Sequence, residues 1–269
     1  MDIITTKPEL IGLFKQLGLK TGDDVIVHCS LKSLGHLVNG PLDVIEALSY
    51  CLDLNEGTIL MPAHTGQLTD PAYWKNPSIP DELIETVRSS MNIFNKQLTD
   101  VRGRGVLASK FLSYPGVKRS DHPLNSVSAL GKRAVMYTSL HDFNEPEGIN
   151  SPIGTLYKND GSVIGIGVSV DKFTAIHLAE YLADVDYLYE NNPRVLIAKK
   201  ENNYFFKCIQ KYPNDSKNFV KVIPLLKSKG LITELTFKGN TMTHLKLKPA
   251  TDFIVTILNK NPNFLLEGD

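Results

Sequence analysis

The stretch DKFTAIHLAEYL, residues 171–182, sets one titratable ring among small and apolar residues. Around His177 stand Asp171 six positions earlier, Thr174 three earlier, Glu180 three later and Asp184 seven later. The run begins where a buried strand over residues 163–170 is expected to pass into a helix. In open α/β sheets, ligand sites gather at such junctions. With Thr174 as N-cap, His177 falls in the first helical turn, where the macrodipole disfavours imidazolium and keeps the ring neutral near pH 7. A neutral, oriented imidazole can serve as a general base, and Asp171 can accept its other N–H and fix the tautomer. Leu178 and Leu182 then face the core, with His177 and Tyr181 on a different side. Two other readings stay open. The histidine can simply bond to a neighbouring loop, or Asp171, His177 and Glu180 can act as metal ligands in a hydrolase, although HxxE has no second histidine close by.

Two further stretches carry chemistry. CSLKSLGHLVNGP joins an expected strand to an expected helix, a geometry in which backbone N–H groups converge on an anion. It brings Ser30, Ser33, Gly35, Gly40 and the cation Lys32, but neither a Walker loop nor a dinucleotide fingerprint is present. RSDHPLNS collects Arg119, His122, Asn125 and Ser126 within eight residues; they can meet a ligand or only close a turn before Pro123. Cys29 ends an apolar strand, so an acyl-cysteine route and a buried structural thiol are both open.

The elements that must position these groups follow from periodicity. TKPELIGLFKQLGL predicts an opening helix with a Thr6–Glu9 capping box and a stripe of Leu10, Leu13, Phe14 and Leu17. GDDVIVHCS and GTILMPA read as buried strands, and PLDVIEALSYCL as a helix opened by Pro41 with Leu42, Ile45, Leu48 and Leu52 inward. Residues 65–82 form a long loop ordered by Tyr73 and Trp74. Helical patterns cover residues 81–91, 105–113, 129–138, 217–228 and 249–259. Two hairpins are expected late, turning at ENN and KGN. The alternation predicts one α/β domain over residues 1–269.

Composition narrows the partners. Lysine plus arginine equals aspartate plus glutamate at 29 each, so no global field favours nucleic acid. No apolar run is long enough for a membrane span, MDIITTKPEL has no leader pattern, and three scattered cysteines fit a reducing, cytoplasmic setting.

Taken together, VHCSLKSLGHLVNGPLDVIEAL, EGTILMPAHTGQLTDPAYWKNPSIP, RGRGVLASKFLSYPGVKRSDHPLNSVSALG, NSPIGTLY and GVSVDKFTAIHLAEY resemble, in order, the aminoglycoside 3-N-acetyltransferase family over residues 25–181. The resemblance implies a three-layer α/β/α sandwich with a mixed sheet and added antiparallel hairpins, unlike the commoner N-acetyltransferase fold. It also implies an antibiotic N-acetyltransferase that takes acetyl-CoA and a small-molecule amine acceptor, with no metal, and a possible homodimer. Carried over residue by residue, His177 becomes the base and Asp171 its acid. Ser30, Leu31, Lys32, Ser33, Leu34, Arg119, His122, Ser126 and Thr174 fall to coenzyme A. For a polycationic acceptor, acids are the natural partners, and Asp70 and Glu180 are the expected ones among Glu82, Glu145, Glu147 and Asp184. TDVRGRG departs from the family's TPxxGMG, which puts Arg104 in the wall near the pantetheine arm. A CoA-binding relative without aminoglycoside activity is the remaining alternative.

Overall fold

The computed structural model describes residues 4–190, 192–201, 203–213 and 216–266. Asn202 in the expected ENN turn, Asn214 and Asp215 in QKYPNDSKNF, and the first three residues of the segment read for a leader lie outside the described residues. In chain order the first half comprises β1 (Ile4–Thr5), α1 (Lys7–Gln16), β2 (Asp24–Cys29), β3 (His36–Leu37), α2 (Pro41–Leu52), β4 (Thr58–Pro62), α3 (Ile84–Ser90), α4 (Gly105–Leu112), β5 (Lys118–Arg119) and β6 (Val127–Gly131). The second half comprises α5 (Ala134–Ser139), α6 (Pro152–Lys158), β7 (Ser162–Ile166), α7 (His177–Ala183), β8 (Arg194–Lys200), β9 (Asn203–Cys208), α8 (Val222–Ser228), β10 (Ile232–Phe237), β11 (Asn240–Lys246) and α9 (Leu247–Leu258).

Seven strands form a mixed sheet in the order β10-β11-β7-β2-β4-β6-β5. β2 runs parallel to β4 and β7, while β6 and β11 close against them antiparallel. Alternate residues of the same strands feed two separate cores, as the period of two requires. Val25, Val27, Ile59, Met61, Ile164 and Ile166 pack with α1, α2 and α4 on one face. Ile26, Leu60, Val163 and Leu245 pack with α5 to α9 on the other. That is the three-layer sandwich, and the hairpin β10–β11 extends its sheet while β8–β9 stands as a separate two-stranded sheet.

Local chemistry explains most boundaries. The Thr6–Glu9 capping box forms, with Thr6 N–H donating to Glu9 Oε2 at 2.8 Å, and Leu10, Leu13, Phe14 and Leu17 are buried. α2 begins at Pro41 as expected, although Leu42 is only half-buried and Val44, Ala47 and Cys51 join the inward face. Residues 129–138 correct one expectation: the helix begins at Ala134, because Val127–Gly131 pairs antiparallel with β4. β7 ends at Ile166, four residues before the expected limit, and two 3₁₀ turns (Val170–Lys172 and Thr174–Ile176) lead into α7. Gly167 makes this early exit possible. Its φ is +59°, and a Cβ there would fall 1.8 Å from Ser33 Oγ, so only glycine lets the strand end close on the 30–35 loop.

Candidate active site

Three segments meet at the carboxyl ends of β2 and β7. Ser30 N–H extends the ladder by donating to Ile166 O at 2.9 Å. After it the chain makes a 3₁₀ turn over Leu31–Leu34, held by Ser33 Oγ donating to Ser30 O at 2.7 Å. The segment Gly103–Ala108, which opens α4, stands opposite. Between them lies a cavity of about 390 Å³ with walls of Val27, Met61, Pro62, Val106, Leu107 and Val168. Ser30, Leu31 and Lys32 line it, whereas Leu34 is core and Ser33 braces the turn. Lys32 and Lys172 stand exposed at its edge, and His28, Cys29 and Arg104 complete the lining.

Outside the cavity's lining lies a buried polar chain. His177, 7% exposed, is the first residue of α7. Its Nδ1 bonds Glu180 Oε2 at 2.5 Å, one helical turn on, and Tyr187 Oη donates to Glu180 Oε1 at 2.7 Å. The ring of Phe219 meets the imidazole edge-on at 4.7 Å and fixes its plane. With Nδ1 committed to a carboxylate, Nε2 is the nitrogen left for chemistry, and among the described residues it has no hydrogen-bond partner. Glu147 lies in the same buried cluster; Asn125 Nδ2 donates to its Oε1 at 2.7 Å, and its Oε2 has no partner. Arg104 links cluster and cavity, its guanidinium donating to His64 Nδ1 at 2.5 Å.

The electrostatics reverse one expectation. Burial alone pulls the His177 pKa down, but the charge of Glu180, its hydrogen bond and the charge of Glu147 together carry it above the ordinary 6.5. The ring is therefore not held neutral by the helix dipole. Glu147 is pushed up by burial, against the pull of His177 and Asn125. Burial lifts the Cys29 thiol to about 12, which keeps it protonated and a poor nucleophile.

Several expected assignments move. Asp171 does not reach the ring; its carboxylate pairs with Lys172 at 2.5 Å, because the 3₁₀ turn at Val170–Lys172 points it away from α7, and Glu180 holds the place expected of it. Thr174 makes no cap bond, and its buried Oγ1 is unpartnered. Leu182 is 37% exposed while Tyr181 is buried, the opposite of the expected faces. Both oxygens of Glu180 are taken inside the fold, one by His177 and one by Tyr187. Asp70 is completely buried under Arg88, which bonds it at 2.7 and 2.9 Å, and Arg194 at 3.3 Å, so it ties the 65–82 loop to β8. Arg119 donates to Ser126 Oγ at 2.9 Å and Ala63 O at 2.7 Å, and Ser126 Oγ donates to Ala63 O at 2.7 Å. His122 Nδ1 accepts from Leu124 and Asn125 N–H groups. Arg119, His122 and Ser126 thus brace β6 rather than line the cavity. Lys211 takes Glu145 and Asp184 at 3.0 and 2.8 Å. Among the described residues no group of three His, Cys, Asp or Glu could hold a metal ion, and Asp171, His177 and Glu180 do not converge. Sequence reasoning missed Tyr187, which stands in no local motif, and passed over His28 and His64, which lie inside the matched stretches but at no spacing that joins them to His177.

The sequence model of the aminoglycoside 3-N-acetyltransferase family matches residues 26–259. The chain belongs to that family. It is 37% identical over 196 residues, 72% of each protein, to YokD of Bacillus subtilis strain 168, described as a prophage-derived aminoglycoside N(3')-acetyltransferase-like protein. Against aminoglycoside N(3)-acetyltransferase III of Pseudomonas aeruginosa it is 31% identical over 184 residues, 68% of this chain and 66% of that protein. The crystal structure of YokD superposes with a TM-score of 0.87 at 32% identity over 96% of this chain and 94% of that one. AAC-IIIb in a binary complex with CoASH superposes with a TM-score of 0.79 at 26% identity over 96% and 97% of the two chains. No helix among the described residues is long and apolar enough to cross a membrane.

Proposed function

We propose that this chain transfers an acetyl group from acetyl-CoA to an amine of an aminoglycoside or a related amino compound, with His177 as general base. The observation that carries this reading is the buried chain Tyr187–Glu180–His177, whose histidine feels the charge of Arg104 in the lining of a mostly apolar cavity. The cavity suits the co-substrate. Its aliphatic walls match the slim arm that bears a thioester, and exposed Lys32 matches a phosphate at the mouth. Relatives with the same fold include AAC-IIIb bound to CoASH and a histidine-to-alanine variant of AAC(3)-IVa bound to apramycin.

Acetyl-CoA, when bound, supplies a carbonyl with a good thiolate leaving group, so the protein's work is positioning and proton transfer. An acceptor amine arrives mostly as ammonium. Only the free amine attacks. His177 Nε2 takes the proton lost as the new N–C bond forms, while Nδ1–H stays on Glu180. Glu180 balances the resulting imidazolium, and Tyr187 keeps Glu180 from rotating away. At 7% exposure the ring works in a water-poor space where that balance is stronger than in solvent.

The test is release of free coenzyme A across a panel of aminoglycosides and simple amines. Amine-dependent thiol release supports the reading; acetyl-CoA binding without thiol release from any amine contradicts it.

A further inference from the structure

Lys211 carries an ammonium group that side chains from three other positions enclose. Its Nζ lies 3.0 Å from Glu145 Oε1 and 2.8 Å from Asp184 Oδ1, and it stands over the Tyr189 ring, 5.2 Å from the centroid. The Tyr189 hydroxyl closes the arrangement by donating to Asp184 Oδ1 at 3.1 Å. Two carboxylates and an aromatic face are the groups that select a cationic amine, one by charge and hydrogen bonding, the other by its quadrupole. Water reaches the arrangement, since the Asp184 side chain is 62% exposed. Its place in the fold ties it to His177. Asp184 caps the carboxyl end of α7, seven positions after His177. At the helical rise and turn, that spacing puts both on one face, about 10 Å apart. Glu145 belongs to the loop that carries Glu147 into the buried cluster. Lys211 N–H donates to Asn144 O in that loop, and the Tyr181 hydroxyl, one turn beyond His177, donates to Lys211 O at 3.0 Å. Tyr212, next in the chain, lies in the charge fields of Glu147 and Arg104.

We infer that Lys211 is a specificity-determining residue for the acceptor: its own ammonium fills an amine position beside the reacting histidine, so the chain disfavours acceptors that bring a second cation there. The inference rests on the amine-acetyltransferase reading above. An acceptor with one amino group presents it to His177 and leaves the Lys211 contacts intact. An acceptor with several, on linked amino-sugar rings long enough to reach from His177 to Asp184, must displace a lysine that is tethered in place and therefore present at high local concentration. Replacing Lys211 by an uncharged residue vacates the position and leaves Glu145, Asp184 and Tyr189 to receive the second amine.

The test measures dissociation constants by calorimetry for gentamicin, which carries several amino groups, and for glucosamine, which carries one. The proteins are the natural chain, Lys211→Met, Lys211→Gln, Lys211→Arg and Lys132→Met. Lys132 is the control for net charge: it pairs with Glu56 at the amino end of β4, whereas α7 starts beyond the carboxyl end of the parallel sheet. Lys211→Met and Lys211→Gln are expected to bind gentamicin about tenfold more tightly, with glucosamine unchanged. Lys211→Arg and Lys132→Met should match the natural chain, and adding Asp184→Asn to Lys211→Met should reverse the gain. A lower melting temperature in Lys211→Met and Lys211→Gln without tighter gentamicin binding makes the lysine merely structural and overturns the inference. An equal gain in Lys132→Met reflects general attraction of a polycation and overturns it too. Thiol release from acetyl-CoA, followed with the same amines, keeps the two readings apart. Tighter gentamicin binding with no thiol release from any amine preserves the role of Lys211 and removes the acetyltransferase reading. Amine-dependent thiol release with unchanged gentamicin binding does the reverse.

Discussion

Glu180 accepts from His177 Nδ1 through one oxygen and from the Tyr187 hydroxyl through the other, so the acid is held at both ends while the ring keeps Nε2 for chemistry. Removing the charge while keeping the shape tests this arrangement. Glu180→Gln takes away the attraction that lifts the His177 pKa, so the rising limb of kcat/KM against pH should move to lower pH. Its plateau should fall about tenfold, because the imidazolium formed during turnover loses its partner. A profile that keeps its position contradicts the assignment.

The pair also leaves a mark on stability. In the folded chain the His177 pKa lies above its ordinary 6.5, so the folded state holds the proton longer than the unfolded one as pH rises. The stabilisation is fully present below the unfolded value and is lost as pH passes up through the folded one. The difference in melting temperature between the natural chain and His177→Ala should therefore shrink as pH rises above the ordinary 6.5. A gap that widens over that range contradicts the direction of the shift.

Cys29 lines the cavity, and burial raises its pKa to about 12, so the thiolate an acyl-enzyme needs is essentially absent at neutral pH. Incubation with radiolabelled acetyl-CoA and no acceptor should leave the denatured protein unlabelled. Label on the peptide that carries Cys29 would establish a two-step route instead.

Asp70 is a structural anchor beneath Arg88 and Arg194. Asp70→Asn should cost on the order of 3 kcal/mol in urea unfolding, because two guanidinium groups lose a shared, buried counter-charge. The KM for the acceptor should stay within about twofold. A large rise in KM with unchanged stability would return Asp70 to the acceptor site.

The layers and the histidine could be read from the chain; the partners of that histidine could not. α1 and α2 announced themselves because a cap, a starting proline and an apolar stripe agreed with one another. VSALG over 127–131 gave no such agreement, being short and rich in small residues, and its pairing with β4, more than 60 residues away, decides its state. Asp171 and Glu180 were equally acidic on paper. What separates them is a 3₁₀ turn that carries one away and a helical turn that brings the other under the ring. Polar clusters mislead for a related reason. Arg119, His122 and Ser126 have the composition of a ligand site, yet their hydrogen bonds close on Ala63, Leu124 and Asn125. His64, Glu147 and Tyr187 come from separate parts of the chain, so no local spacing could have joined them to His177.

The most direct test compares the natural chain with His177→Ala in one assay, free thiol released from acetyl-CoA in the presence of an accepted amine, alongside the affinity of each for acetyl-CoA. Turnover should fall about 100-fold or more while acetyl-CoA binding changes little, because His177 is not among the residues that line the cavity. Turnover in the variant equal to that of the natural chain would contradict the account.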